Sequence, residues 1–255
     1  MRSSPSCKCL LLCFLVLTSS QVLAQAGSSE FISLPWTERR PFQFVDGDGM
    51  LKGVLAELGN SIFADAHVPM KWVETPASRT ARSLATDSDR ICLVGWFRTP
   101  EREKVAKISL PIYRDRPQVG IVRADFRIGE NRSLRSLVAD KTIRLLTKQG
   151  YSYGAFLDEL IAGRKGGNVD SVVADHGRML MMVLRQHADL IFLTREELDF
   201  YTARDPALMG GVKAISFKEL PAGNQRHILC SRQVPDETMA RLDAAIRANS
   251  RIKAD

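Results

Sequence analysis

Residue patterns that bind metals, hold nucleotides or form common catalytic centres are missing from this sequence of 255 residues. Its four histidines fall in no H-E-x-x-H frame, and Cys92 and Cys230 have no cysteine or histidine at zinc-ligand spacing. P-loops, G-x-G-x-x-G motifs and G-x-S-x-G motifs are also missing. We therefore predict no metal, no cofactor and no enzymatic activity.

Dense basic runs and long apolar runs are missing as well. Lys and Arg outnumber Asp and Glu by 36 to 29, but the excess is scattered and is not interleaved with aromatic residues. Nucleic acid is therefore not an expected partner. Hydrophobic residues make up 45% of the chain, which is typical of a globular protein with a real core.

The first residues are typical of a secretory signal peptide, predicted as residues 1–24. Arg2 and Lys8 precede an apolar run at residues 10–17, and V-L-A stands directly before Gln25. The run is too short to be a permanent membrane anchor. Export would remove three of the five cysteines. The remaining two could form one disulfide or stay as buried thiols.

Strand-like and helix-like segments alternate along the rest of the chain, which predicts an α/β fold. One such series covers about 30–117 and a second covers about 140–217. The expected strands are 31–36, 70–74, 91–95, 118–123, 142–147, 189–193, 212–217 and 227–231. The expected helices are 53–66, 78–85, 153–162, 175–187, 195–203 and 236–249. Pro111 and Pro117 indicate a connection between the two series.

Three stretches then resemble one family. They are P-F-Q-F followed by D-G-D-G-M-L-K-G at residues 41–53, G-W-F-R-T-P-E-R-E-K with S-L-P-I-Y at 95–113, and R-H-I-L-C-S-R at 226–232. Together they resemble the type II periplasmic solute-binding proteins, specifically the bacterial extracellular solute-binding proteins of family 3 that bind polar amino acids. The second stretch is the most specific of the three.

The resemblance implies a two-lobed periplasmic-binding-protein type II fold, in which each lobe is a mixed sheet flanked by helices. Lobe one would comprise residues 30–117 plus 228–255, and lobe two residues 118–227. Two hinge strands would lie near 114–124 and 221–230. The return strand would lie beside the third strand of lobe one, so Cys92 and Cys230 would be neighbours and a disulfide is expected.

The resemblance also implies a ligand site between the lobes. Arg102 matches the arginine that grips a ligand carboxylate, and its planar fork of donors suits two carboxylate oxygens. The alternative is a surface ion pair with Glu101 or Glu103. Three aromatic side chains of lobe one are expected either to line the site or to belong to the core: Trp36, Trp96 and Phe97.

Lobe two would contribute the turn at residues 148–154, which in the family presents backbone N–H groups at the start of a helix. Ser152 could cap that helix, bind ligand or do both. Lys148 is expected either to face solvent or to contact ligand. Tyr151 would close over the ligand or pack on the surface.

The departures from the family pattern bear on the ligand. Phe97 replaces a threonine that donates to the ligand, and Arg39 replaces an aromatic residue. Thr194 stands where the family has the acid that holds an amino group. Without that carboxylate, burying an ammonium is costly. The ligand is therefore expected to differ from a simple α-amino acid, unless another acid substitutes; the candidates are Glu38 and Glu196.

Arg39, Arg79 and Arg98 together with Arg102 indicate a positive cleft and an anionic ligand. The functional prediction is a monomeric periplasmic protein that captures a small carboxylate-bearing ligand for a membrane transporter or a sensor. The first alternative is a periplasmic enzyme, dehydratase-like or hydrolase-like, on the same scaffold. The second is an orphan homologue that contacts a partner instead of a ligand.

Overall fold

The computed structural model describes residues 31–86, 89–129, 133–164, 169–250 and 252. The predicted signal peptide lies outside these residues. The strands are β1 (Ile32–Trp36), β2 (Phe44–Val45), β3 (Leu51–Lys52), β4 (Met70–Glu74), β5 (Cys92–Phe97), β6 (Ala106–Arg114), β7 (Gln118–Arg123), β8 (Leu145–Lys148), β9 (Val169–Val172), β10 (Ile191–Thr194), β11 (Val212–Ile215) and β12 (Gln225–Ser231). The helices are α1 (Val54–Asp65), α2 (Ala77–Thr86), α3 (Pro100–Glu103), α4 (Leu134–Ala139), α5 (Ala155–Ala162), α6 (His176–Leu184), α7 (Arg195–Thr202), α8 (Pro206–Gly211) and α9 (Asp236–Ala248). None of the described helices is long and apolar enough to cross a membrane.

The described strands form five sheets of two or three strands each. Isolated bridges link four of them into two groups, which are called here the first sheet and the second sheet. The fifth is the short antiparallel pair β2–β3. In the first sheet, β1 pairs in parallel with β4, and a parallel bridge from Ser33 to Ile91 connects β1 to the start of β5. The late strand β12 then pairs antiparallel with both β5 and β6. The second sheet repeats this plan: β8 pairs in parallel with β9, a bridge joins Leu145 to Leu190 before β10, and β7 lies antiparallel between β10 and β11.

The buried apolar side chains divide in the same way as the sheets. The core of the first sheet draws on residues between Ile32 and Ile112 and on residues between Ile228 and Ile246. The core of the second sheet draws on residues between Val119 and Val212. The chain therefore returns to its first core at its end. The lobe limits at 117/118 and 227/228 stay a prediction.

A disulfide joins Cys92 and Cys230, which face each other across β5 and β12 with their Cα atoms 4.0 Å apart. Both residues are fully buried in the first core. The disulfide implied by the family resemblance is confirmed, and the alternative of two buried thiols is wrong.

The connection expected between Pro111 and Pro117 is present but shorter than predicted, at residues 115–117, because Pro111 belongs to a long strand. β6 runs through Pro111 to Arg114 and pairs with β12. Proline cannot donate a hydrogen bond to a ladder, which normally argues against a strand interior. Here Pro111 lies opposite His227 at a register shift, so the irregular ladder accommodates the missing N–H group.

Candidate functional site

A cavity of about 550 Å³ of empty space, partly open to solvent, lies between segments of the two sheets. This volume includes the part of the cavity that is open to solvent. Its wall comes from the ends of β1 and β5, from α1, α2 and α3, from the turn after β8, and from β12. The wall residues are Pro35, Trp36, Thr37, Arg39, Gln43, Leu55, Ala77, Thr80, Val94, Gly95, Trp96, Phe97, Arg102, Gly150, Tyr151, Ser152 and Arg226.

A β-bulge in β5 shapes the floor of this cavity. Residues on either side of Gly95 pair with consecutive residues of β12, which leaves Gly95 as the extra residue with a φ of 81°. An added Cβ at this position would lie 2.3 Å from Leu55 Cδ1. Glycine is therefore needed both for the backbone conformation and for the close approach of helix α1.

The bulge also turns the carbonyl of Gly95 toward a buried arginine. Arg226 Nη1 donates to Gly95 O at 2.7 Å, and its other nitrogens donate to Asp115 at 2.5 Å and 2.7 Å. The guanidinium packs between the rings of Phe42 and Phe97, each centred 4.5 Å away. Burial raises the pKa of Asp115 and lowers the pKa of Arg226, and the attraction between the two opposes both shifts.

Arg102 lies in the cavity wall and has no carboxylate partner within salt-bridge distance among the described residues. Its guanidinium lies 4.5 Å from the ring centre of Trp96, and Nη1 donates to Phe97 O at 2.8 Å. Burial lowers its pKa to about 10; repulsion from Arg226 and Arg39 adds to this, and attraction from Asp158 opposes it. The side chain therefore remains a cation at neutral pH. Glu101 and Glu103, its suggested surface partners, make no ion pair with it; Glu103 pairs with Arg98.

A second arginine of the wall is paired across the cleft. Arg39, in the loop after β1, donates from Nε to Glu197 Oε1 at 2.6 Å and from Nη2 to Oε2 at 3.3 Å. Burial alone would raise the pKa of Glu197, but attraction from Arg39 and His176 holds it well below its ordinary value. Glu197 also closes the capping box of α7 with Thr194.

His176 completes this cluster from the start of α6. Its Nδ1 lies 2.9 Å from Glu197 Oε1, although neither ring nitrogen makes a hydrogen bond of good geometry with a described residue. The ring stands edge to face against Tyr151 at 5.7 Å. Burial lowers the pKa of His176, while attraction from Glu197 opposes this shift.

The turn after β8 forms the opposite part of the wall. The guanidinium of Arg39 lies 5.1 Å from the centre of the Tyr151 ring, and the ammonium of Lys148 lies 4.4 Å from it. Burial, assisted by repulsion from Arg39, lowers the pKa of Lys148 to about 8. Ser152 donates to Asp158 Oδ2 and accepts from the N–H of Gly154 at 3.1 Å, so its hydroxyl organises the start of α5.

The structure brings most of the predicted site residues together. Seven of the nine line the cavity: Trp36, Arg39, Trp96, Phe97, Arg102, Tyr151 and Ser152. Lys148 is not in the wall, although it contacts the wall residue Tyr151. Thr194 is also outside the wall and fully buried, and its hydroxyl donates to Glu197 Oε2 at 3.1 Å.

The other charged candidates lie elsewhere. Arg79 is exposed and Arg98 is paired with Glu103, and neither is a wall residue. Glu38 pairs with Arg40, and Glu196 accepts from the N–H of Arg116 at 2.6 Å. Neither acid reaches the cavity wall. The two acids named as substitutes for the missing carboxylate therefore do not face a ligand there.

Three important residues of the site were not predicted. Arg226 lies near the start of β12, between the polar residues Gln225 and His227, so its charge does not stand out there in the sequence. Gln43 lies between two phenylalanines, which is a weak signal. Glu197 lies three residues after Thr194, at the spacing of a capping box, but its pairing with Arg39 leaves no local pattern.

The described residues contain no group of three or more His, Cys, Asp or Glu side chains that could hold a metal ion. The polar groups of the cavity wall are instead guanidinium, amide and hydroxyl groups beside aromatic rings. Such a wall suits an anionic or polar organic molecule.

Comparison with known proteins gives the family. A family model described as bacterial extracellular solute-binding proteins, family 3, matches residues 36–254. No curated protein sequence matches the chain. Among solved structures, the holo arginine-binding protein ArgBP from T. maritima is similar at 19% identity and a TM-score of 0.67, over 87% of this chain and 91% of that one.

Two further structures agree. The arginine-, lysine-, histidine-binding protein ArtJ from Geobacillus stearothermophilus has 16% identity and a TM-score of 0.69, over 86% of this chain and 88% of that one. An ancestral arginine-binding protein has 18% identity and a TM-score of 0.69, over 86% and 92%. At these identities the likeness shows the fold, so the predicted two-lobed α/β architecture is confirmed. The family model covers most of the chain, and the chain therefore belongs to the bacterial extracellular solute-binding proteins of family 3.

Proposed function

We propose that this protein captures a small, carboxylate-bearing solute in the cavity between two lobes, comprising residues 30–117 plus 228–255 and residues 118–227. It acts as a monomer in the periplasm, after removal of residues 1–24, and delivers the solute to a membrane transporter or a sensor. Closure of the lobes around the solute stabilises the state in which both contact it.

The observation that carries this proposal is the environment of Arg102. Its guanidinium is partly withdrawn from water and stacked on Trp96. No carboxylate of the described residues lies within salt-bridge distance of it; the nearby Glu103 pairs with Arg98. The cost of withdrawing this positive charge from water is therefore poorly compensated. A bound carboxylate would supply the missing charge and accept two parallel hydrogen bonds from the planar fork.

Binding without turnover is supported by the position of the acids considered for catalysis. Glu38 and Glu196 are engaged with Arg40 and Arg116 and do not line the cavity. A general acid or base must come within hydrogen-bond reach of the reacting group. We therefore propose a carrier and not a dehydratase or hydrolase.

The test is a thermal-shift screen of the mature chain against a panel of organic acids and amino acids, followed by calorimetry on every hit. A carboxylate hit is expected to raise the melting temperature and to lose at least about 100-fold in affinity in Arg102→Ala, since a charged hydrogen-bonded pair is removed. Arg98→Ala is the matched control, because Arg98 is a nearby arginine that is exposed and paired with Glu103.

The possible outcomes separate the alternatives. Equal affinity in Arg102→Ala and the native chain would refute the role of Arg102. A panel without any hit would favour the orphan homologue that contacts a partner. Every hit is also incubated with the protein for a prolonged time and monitored by NMR. Conversion of a hit into a new compound would favour the enzyme.

A further inference from the structure

The charges of the cavity wall bear on the class of solute, and the following inference rests on the function proposed above. Arg39, Arg102 and Arg226 are the charged residues among the wall residues, and the described wall contains no aspartate or glutamate. Arg39 is neutralised by Glu197 and Arg226 by Asp115, and both acids lie outside the wall. Arg102 leaves one positive charge without a close partner.

Asp158 is the acid that most strongly attracts Arg102, but it makes no ion pair with it. Its Oδ2 accepts from Ser152, and its Oδ1 accepts from the N–H of Tyr153 at 2.7 Å. Asp158 is therefore held by the start of α5 and is not a wall residue. A ligand ammonium in the cavity would meet three guanidinium groups and no described carboxylate, which makes its desolvation uncompensated.

Gln43 gives a second, independent indication of the chemistry of the ligand. This wall residue is only 8% exposed, and its Nε2 has no hydrogen-bond partner among the described residues. Its backbone N–H donates to Arg39 O at 2.9 Å, so the side chain is held on a fixed loop. Buried polar groups in native proteins are normally satisfied. The Nε2 atom itself is shielded from solvent, so the amide has to turn toward the cavity before it can donate to an acceptor of the ligand.

We propose that the solute is a small carboxylate that carries an uncharged hydrogen-bond acceptor, a carbonyl or hydroxyl oxygen, and no ammonium group. Its carboxylate neutralises Arg102, and its uncharged oxygen accepts from Gln43 Nε2. Oxo acids and hydroxy acids have this chemistry, whereas the amino acids with the same carbon skeleton present a cation in place of the acceptor.

The direct test compares matched pairs on the native mature chain by isothermal titration calorimetry. The pairs are pyruvate or lactate against alanine, 2-oxoglutarate against glutamate, and phenylpyruvate against phenylalanine. We expect the oxo or hydroxy acid of at least one skeleton to bind at least tenfold more tightly than its amino acid. Tighter binding of an amino acid, or no binding by any member, would overturn this inference.

Failure of this inference can be distinguished from failure of the proposed carrier function. If an amino acid binds and Arg102→Ala abolishes that binding, the carrier function stands and the inference about solute class fails. If the pairs fail but the wider panel yields another carboxylate that depends on Arg102, the result is the same. If no compound binds at all, both proposals fail.

Variants of Gln43 test the second contact. Gln43→Leu is expected to lose about tenfold in affinity for the oxo or hydroxy acid, and Gln43→Glu to lose more, because it places a negative charge beside an anion. The matched control is Gln118→Leu: Gln118 is also buried, and its Oε1 also lacks a described partner, but it is outside the wall. Unchanged affinity in Gln43→Leu, or an equal loss in Gln118→Leu, would overturn the role of Gln43.

Discussion

Arg39 and Glu197 join two parts of the chain that are 158 residues apart, with Nε and Oε1 separated by 2.6 Å. Arg39 lies in the loop that follows the first strand. Glu197 lies in helix α7, which begins directly after strand β10 of the second sheet. Both side chains are mostly buried, at 14% and 1% exposure. The pair therefore fastens the two sheets together beside the cavity without using the ligand.

Breaking this pair should be costly. Glu197→Gln leaves the buried guanidinium of Arg39 without its charge partner, and we expect a loss of about 3–5 kcal/mol in the free energy of unfolding, measured by urea denaturation. Glu38→Gln is the matched control. Glu38 Oε1 accepts from Arg40 Nε at the same 2.6 Å, but this pair is exposed. Its loss should cost less than about 1 kcal/mol.

A double variant tests whether the lost stability comes from the unpaired positive charge of Arg39. Replacing Arg39 with Met in the Glu197→Gln background removes the uncompensated cation, so we expect part of the lost stability to return. If Glu38→Gln and Glu197→Gln cost the same, the pair is no more important than an exposed one, and its role in fastening the sheets is refuted.

Lys148 should make stability depend on pH in the alkaline range. Burial lowers its folded-state pKa from 10.5 to about 8. Between these values the unfolded chain binds more protons than the folded one, so this group makes stability rise as pH increases from about 8 to about 10.5. Below pH 8 its contribution is a constant penalty, on the order of 3 kcal/mol.

The measurement is the free energy of unfolding of the native chain and of Lys148→Met at pH 7, 8, 9 and 10. The variant is expected to be more stable at pH 7, with the difference shrinking as pH rises to 10. Lys71→Met, at an exposed position of β4, is the control and should show a difference near zero throughout. A difference that grows with pH would contradict the depressed pKa.

The sequence was sufficient for the fold because the fold depends on local patterns and a family motif. Apolar spacing predicted α1 and α9 to within about one residue at each end, and β4 and β7 were predicted with their observed limits. β6 was missed because Pro111 is a strong local signal against a strand, and the register shift in β12 that tolerates it depends on tertiary contacts.

The site was only partly predictable for a related reason. The motif around Arg102 pointed to the correct part of the chain, and the aromatic residues near it do line the cavity. The pairs Arg226–Asp115 and Arg39–Glu197 join segments more than 100 residues apart. No local sequence pattern connects such distant positions. These ion pairs can therefore be identified only from the folded structure.

The disulfide should contribute to stability by restricting the unfolded chain. It closes a separation of 138 residues, and loops of this length are expected to give several kcal/mol. The double substitution Cys92→Ala and Cys230→Ala should lower the free energy of unfolding by about 2–5 kcal/mol, measured by urea denaturation. A reductant should destabilise the native chain and leave the double variant unchanged. An equal response of both proteins to reductant would contradict this expectation.

Gly95 should be intolerant of any side chain. Alanine there must adopt a φ of 81°, and its Cβ would lie 2.3 Å from Leu55 Cδ1, so α1 or the bulge has to move. We expect Gly95→Ala to cost at least about 2 kcal/mol, and to weaken ligand binding, because the Gly95 carbonyl that holds Arg226 would be displaced. Gly47→Ala is the control, because no atom lies within 4 Å of its added Cβ. Equal melting temperatures for the two variants would show that the bulge does not need glycine.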